Sequence, residues 1–158
     1  GIREALDKGI LIGHPIVDLR ARLHYGSYHD VDSSEASFKI AASHAFHDAF
    51  NHEKPVLLEP IVNIEVVIPT KFMGEITGNL SSHRGHIKGM DTMGDLQVVR
   101  AAIPMSSIAN YETELKSMTG GQGSFTMEFS HYDILPAHLM QSVIAQMHTA
   151  HAANAKKE

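Results

Sequence analysis

The hydrophobic pattern of the first third of the chain predicts one strand and one helix. From Ile16 to Tyr25 apolar and polar residues alternate, and this period of two is typical of a half-buried strand. Residues 26–30 (Gly-Ser-Tyr-His-Asp) favour a turn or exposed tip. A helix is expected to follow, opened by Asp32 and Glu35 at the spacing of a capping box. Its apolar stripe would consist of Phe38, Ala42, Ala45, Phe46 and Ala49.

After Pro55 the pattern predicts a strand-helix-strand-strand-helix-strand unit. The predicted strands cover residues 61–68, 86–90, 96–103 and 124–132, and the helices cover residues 70–82 and about 108–118. In the first strand Val62, Ile64, Val66 and Ile68 are expected on one face. This order is the split βαβ arrangement of ferredoxin-like domains. In the first of these helices Gly74 and Gly78 should each cost about 1 kcal/mol relative to Ala, so we expect close packing on the sheet to compensate. A final amphipathic helix follows, and the tail from Ala152 is expected to fray.

Composition and charge exclude several classes of protein. The 158 residues are 43% hydrophobic and 20% charged, which is a globular composition. No apolar run approaches the roughly 18 residues of a membrane-spanning helix, and no secretory leader opens the chain. The chain has no Cys, so disulfides, thiolate nucleophiles and Cys-ligated metal sites are ruled out. The formal net charge of −5 argues against a basic module that binds nucleic acid on its own.

Enzymatic and metal-binding motifs are weak in this sequence. The glycine-rich segment 120–123 leads from a helix into a strand, whereas a phosphate loop needs the reverse order. A tight connection is the better interpretation, and we expect no nucleotide site and no enzymatic activity in this chain. The twelve histidines include three pairs spaced three residues apart, but no HExxH motif accompanies them. A His-rich metal-binding ferredoxin-like domain stays an alternative, with solvated helix faces as the preferred explanation.

The segment 26–30 is the candidate functional site. Ser27, Tyr28 and His29 offer hydroxyl, phenol and imidazole groups, which can stack on bases and hydrogen-bond to phosphates or sugars. Arg20 and Arg22 precede this tip on one face of the predicted strand and form a local cationic stripe. By composition alone an ordinary polar loop would be the simpler explanation of the segment.

Several motifs resemble the bacterial translation elongation factor G family. Residues 26–35 followed by Phe38-Lys39-Ile40-Ala41 are similar to the distal loop and next helix of that family's domain IV, and residues 55–61 to the junction into domain V. Residues 84–90 and 115–125 resemble parts of domain V, and the likeness runs in order from residue 1 to about 136. The resemblance implies an α+β fragment of a longer GTPase. Its three parts would be an incomplete domain IV similar to ribosomal protein S5 (1–54), a ferredoxin-like domain V (55–136), and a C-terminal helix with a frayed tail (137–158).

The same resemblance implies a role in moving the tRNA–mRNA duplex on the ribosome. Ser27, Tyr28 and His29 would form the tip that reaches the decoding centre, and Arg84 would face ribosomal RNA, as Arg20 and Arg22 would. The partners would be RNA of both subunits and the tRNA–mRNA duplex, in the cytoplasm, with weak RNA affinity for the isolated chain. GTP and Mg²⁺ would belong to a domain outside this sequence, and this chain itself would need no cofactor.

Gln122 departs from the family pattern. Many members have a basic residue at this position. A divergent paralogue or a ribosome-protection type of translational GTPase is therefore an alternative to the main translocase.

Overall fold

A computed structural model describes the backbone of residues 1–154 and the side chains as far as residue 149. Contacts divide the chain into two compact units, residues 1–56 with 136–158, and Leu57–Leu135. The α+β class is confirmed, because helices accompany a single four-stranded antiparallel sheet in the described residues. No helix among those residues is long and apolar enough to cross a membrane.

The regular elements in the described part of the first unit are all helices. Helix α1 (Ile2–Lys8) packs on helix α2 (Glu35–His52), and the Lys39 ammonium lies 3.0 Å from the Glu4 carboxylate. Helix α5 (Ala137–Asn154) also belongs to this unit, and its His148 Nε2 lies 2.9 Å from the Leu11 carbonyl oxygen. The tail predicted to fray is helical from residue 152 to residue 154, and residues 155–158 lie outside the described residues.

The strand predicted from Ile16 to Tyr25 is wrong. These residues form no regular element, and the apolar side chains that should face a core are exposed, Leu23 by 81% and Tyr25 by 84%. A strand needs a neighbouring strand to satisfy its backbone groups, and no partner lies beside this segment in the described residues. Because this strand does not form, it does not cover the apolar stripe predicted on α2, and Phe46 is the one buried residue of that stripe.

The second unit is a sheet with helices packed on one face. Its elements are β1 (Leu58–Pro69), α3 (Met73–Ser82), β2 (His86–Met93), β3 (Leu96–Pro104), α4 (Tyr111–Thr119) and β4 (Ser124–Ile134). Short 3₁₀ turns precede both helices, at Thr70–Phe72 and Met105–Ile108. The strand order is β2-β3-β1-β4 with antiparallel neighbours. This confirms the ferredoxin-like arrangement, because each crossover helix leads to a strand two positions away in the sheet, with one strand in between.

The core of this unit forms where the even-numbered residues of β1 meet α3 and α4. Ile64, Val66 and Ile68 are at most 1% exposed, as are Ile76 and Leu80 of α3. Burial of aliphatic side chains at this level stabilises a fold by about 1.5–3 kcal/mol each. The alternation of apolar residues predicted for 61–68 therefore comes from a strand that buries one face in the core.

The explanation predicted for the two helical glycines is wrong. Gly74 and Gly78 are not buried, and a methyl group added at either would meet no atom within 4 Å. No close approach to the sheet therefore compensates for their weak helix propensity. Gly85 is the opposite case, because a Cβ there would lie 2.5 Å from the carbonyl oxygen of Leu80.

We expect Gly78→Ala to raise the free energy of unfolding by about 0.5–1 kcal/mol, and Gly74→Ala to act alike. Alanine restricts the unfolded chain, and the folded helix has open space for its methyl group. The matched control is Gly85→Ala, which should lower stability because backbone atoms must move. Urea denaturation of the three variants measures the effects. A loss of stability in Gly78→Ala would mean that the space at this position is filled.

Candidate functional site

The tip is closed by hydrogen bonds between His29 and Ser33. The backbone N–H of His29 donates to Ser33 Oγ at 2.8 Å, and the N–H of Ser33 donates to the His29 carbonyl at 3.1 Å. These two bonds hold the turn at residues 30–32, in which Val31 is 99% exposed. The tip therefore includes a hydrogen-bonded turn, and no strand precedes it.

Ser34 begins the helix that follows the tip. Its Oγ accepts a hydrogen bond from the N–H of Ser37 at 3.1 Å, and Ser37 Oγ donates to the Asp32 carbonyl at 3.0 Å. The predicted capping box of Asp32 and Glu35 is therefore wrong in register. A serine next to the helix can reach its orphan N–H groups, and Asp32 lies two residues too early.

The structure brings the predicted tip residues to one exposed loop. Ser27, Tyr28 and His29 are all exposed, Tyr28 by 70%. No side-chain hydrogen bond or ion pair within the described residues occupies the rings of Tyr28 and His29. Asp30 and Asp32 lie beside them, so the tip has acidic neighbours. Such a loop is suited to stacking and hydrogen bonding more than to attracting phosphates by charge.

Arg20 and Arg22 do not form the predicted stripe. Both side chains are exposed, but the segment that carries them has no strand geometry to align them on one face. Neither guanidinium takes part in an ion pair in the described residues. An RNA contact by either residue stays a prediction.

Arg84 lies at the C-terminus of α3 in a backbone conformation that usually belongs to glycine. Its φ is 65°, its N–H donates to the Ser81 carbonyl at 3.1 Å, and the Gly85 N–H donates to the Leu80 carbonyl at 2.8 Å. This is a Schellman ending, in which the left-handed residue is most often Gly. A left-handed L-residue costs about 1–2 kcal/mol, so another interaction must favour Arg here.

Glu59 supplies that interaction. Arg84 Nη1 donates to Glu59 Oε2 at 3.0 Å and Nη2 donates to Oε1, so the pair is bidentate. The Glu59 side chain is only 8% exposed and that of Arg84 is 34% exposed. Hydrogen bonding to Glu59 raises the pKa of Arg84, against the smaller opposing effect of burial. The guanidinium predicted to face ribosomal RNA is thus already paired, and its RNA contact stays a prediction.

A second polar cluster joins α3 to α4. His83 Nε2 lies 2.8 Å from Glu114 Oε2, which also accepts from Asn79 Nδ2 at 3.4 Å. Hydrogen bonds from His83 and then Asn79 lower the pKa of Glu114. Next to them Tyr111 is 1% exposed, and its hydroxyl has no hydrogen-bond partner among the described residues. Burial and then the charge of Glu114 raise the pKa of Tyr111 to about 12.

Glu59, Glu114 and Tyr111 were not predicted from the sequence to be members of these clusters. The partners lie 25 residues apart for Glu59–Arg84 and 31 for His83–Glu114, so no local pattern links them. His83 faces Glu114 and does not pair with His86. No three acidic or histidine side chains converge in the part of the chain that the structure describes, and the metal-binding alternative gains no support from geometry.

The glycine-rich segment before β4 is a tight connection. Gly120 and Gly121 have φ of 58° and 81°, and the Gly121 N–H donates to the Lys116 carbonyl at 2.9 Å. The fully buried Thr119 accepts the Gly123 N–H at 3.0 Å through Oγ1. These bonds direct the N–H groups of the loop inward, so these N–H groups already have hydrogen-bond partners within the fold.

Comparisons with known proteins agree with this architecture. The family model of the elongation factor G C-terminus matches residues 56–143. The family model of elongation factor G domain IV matches residues 1–53. Elongation factor G of Aquifex pyrophilus is 47% identical over 146 residues, which are 92% of this chain and 21% of that protein. A crystal structure from Thermus thermophilus superposes with a TM-score of 0.81 at 42% identity, over 94% of this chain and 22% of the other. The chain thus spans about a fifth of the relatives it matches, and it belongs to the elongation factor G family.

Proposed function

We propose that this chain is the ribosome-binding C-terminal part of a translational GTPase that promotes tRNA–mRNA movement during protein synthesis. The family match supports this role, and the observation that carries it is the exposed tip with Ser27, Tyr28 and His29. A loop that enters a crowded RNA site must be narrow, and its own hydrogen bonds must fix it before binding. The bonds between His29 and Ser33 fix the position of His29 in this way.

The acidic balance of the chain fits an arm that other domains deliver. Affinity from phosphate contacts rises with the number of phosphates that Lys and Arg neutralise. A chain of net charge −5 should therefore bind RNA weakly by itself. In the complete factor, which would work in the cytoplasm, other domains would hold the tip near the tRNA–mRNA duplex at a high effective concentration.

Nucleotide chemistry is proposed to lie outside this chain. The sequence contains no GxxxxGK[ST] motif, and the amides of the glycine-rich loop are bonded within the fold. GTP and Mg²⁺ would be bound by another domain of the complete factor, and this chain would take no cofactor. Titration of the isolated chain with a fluorescent GTP analogue tests this part, and saturable binding would contradict it.

We expect His29→Ala in the complete factor to slow tRNA–mRNA movement by roughly fivefold to a hundredfold. The imidazole can stack on a base or sugar and hydrogen-bond through either nitrogen, contributions worth about 1–3 kcal/mol. Ribosome-stimulated GTP hydrolysis should stay nearly unchanged, since it would occur in another domain. Stopped-flow kinetics of codon movement, with GTP hydrolysis measured in parallel, gives both rates.

His47→Ala is the matched control, because His47 is also exposed but lies on α2 away from the tip loop. It should leave both rates unchanged. An unaltered movement rate in His29→Ala, or an equal fall in GTP hydrolysis, would show that the tip does not have this role.

A further inference from the structure

Strand β4 forms an edge of the sheet that no described element of its unit covers. The strand order is β2-β3-β1-β4, so β4 (Ser124–Ile134) pairs with β1 on one side only. The opposite side presents a row of backbone N–H and C=O groups over a strand of 11 residues. Natural proteins usually shorten or protect such an edge, because it can pair with another chain.

An apolar stripe runs along this edge on the face that the helices occupy. Met127 lies opposite Ile64, and Phe129 lies opposite Val62. The register then shifts by one residue, which keeps Tyr132 on the same face, with its ring 5.3 Å from that of Phe129. The stripe is 52–60% exposed throughout, and its members are Met127, Phe129, Tyr132 and Ile134.

The helix layer ends before this stripe. Tyr111 of α4 makes an edge-to-face contact with Phe125, at 5.3 Å between ring centroids, and Phe125 is half-buried. The apolar residues beyond Phe125 therefore lack the cover that α4 gives to the start of the strand.

The other face of the same strand carries two carboxylates, with His131 between them and the Lys88 ammonium beside Asn63 on the neighbouring strand. Glu128 and Asp133 take part in no ion pair in the described residues, although Asp133 accepts the N–H of Ile134. The carboxylates of the neighbouring strand, Glu59 and Glu65, are already paired with arginines. The edge thus combines unpaired backbone groups, an apolar stripe and two free carboxylates.

We propose that β4 accepts an extended segment of a protein partner in which apolar and basic residues alternate. Such a segment would add a fifth strand, with its apolar side chains beside Phe129 and its basic side chains beside Glu128 and Asp133. The carboxylates disfavour RNA, because they repel phosphates. They also disfavour a second copy of this chain, because two β4 strands would bring like charges together.

The test uses the isotope-labelled chain and two synthetic peptides of the length of β4, one alternating Val with Lys and the other alternating Val with Glu. The Lys peptide should shift the NMR signals of β4 and protect from exchange the amides that do not bond to β1. It should bind at least about tenfold more tightly than the Glu peptide, and added salt should weaken it. This comparison needs no variant and is independent of the role on the ribosome.

Two variants and a control locate the site. Phe129→Ser and Glu128→Lys should each weaken binding of the Lys peptide by about tenfold or more, since they remove one apolar contact and reverse one charge. Met93→Ser, on the opposite edge strand and 61% exposed, should leave the affinity unchanged. If Phe129→Ser does not fold, Glu128→Lys, at an exposed position, is compared with Met93→Ser alone.

Four results of the peptide and RNA titrations would overturn the proposal. They are equal affinity for both peptides, no binding of the Lys peptide, shifts that centre on β2, and equal shifts of the β4 signals by single-stranded RNA. Protection of β4 that rises with protein concentration in the absence of peptide would likewise assign the edge to a second copy and reject the peptide partner.

Discussion

Arg84→Ala is expected to lower the free energy of unfolding by about 2–3 kcal/mol. The substitution leaves the carboxylate of Glu59, which is 8% exposed, without its bidentate partner. Breaking a buried pair from one side costs about 3–5 kcal/mol, and the partial exposure of Arg84 reduces that figure. Urea denaturation of the chain measures the loss.

Two further variants separate the ion pair from the backbone strain at this position. Arg84→Gly should be about 1 kcal/mol less damaging than Arg84→Ala, because glycine adopts the positive φ without cost. Arg100→Ala, whose exposed side chain pairs with Glu65 and Asp91, should lower stability much less than Arg84→Ala does. Equal losses for Arg84→Ala and Arg100→Ala would show that burial of Glu59 has no effect on stability.

Tyr111 should make the fold sensitive to alkaline pH. Its pKa is raised to about 12, whereas an unfolded tyrosine titrates near about 10. Above about pH 10 the unfolded state loses this proton first, so the folded state binds more protons and stability falls as pH rises. The contribution of Tyr111 to the free energy of unfolding is fully present below about pH 10. About 2–3 kcal/mol of that contribution is lost by about pH 12.

Tyr111→Phe should abolish that loss. At neutral pH the variant should be as stable as the parent or about 1 kcal/mol more stable, because it removes a buried hydroxyl that has no partner in the described residues. Tyr25→Phe, at a position 84% exposed, is the control and should keep the alkaline loss. Urea denaturation between neutral pH and about pH 12 gives both results. An unchanged pH dependence in Tyr111→Phe would mean that another group titrates.

The sequence alone was sufficient for the sheet unit. Each of its strands and helices shows its own period of hydrophobic residues. The order of strands and helices that these periods predict is compatible with few topologies. The even-numbered residues of β1 were predicted to share one face, and the structure buries Ile64, Val66 and Ile68 there. The composition of residues 26–30 also predicted an exposed turn, and the structure leaves these residues exposed but forms the hydrogen-bonded turn at residues 30–32. The role of Ser27, Tyr28 and His29 stays a prediction.

Only the tertiary structure decided the features that depend on distant partners. The alternation from Ile16 to Tyr25 gives no strand, because a strand needs a neighbour and alternation does not supply one. The pairing of Arg84 with Glu59 and of His83 with Glu114 joins residues far apart in the chain. The exposure of the β4 stripe follows from its place at the sheet edge. A period records which face of an element is apolar, but the fold determines whether another element covers that face.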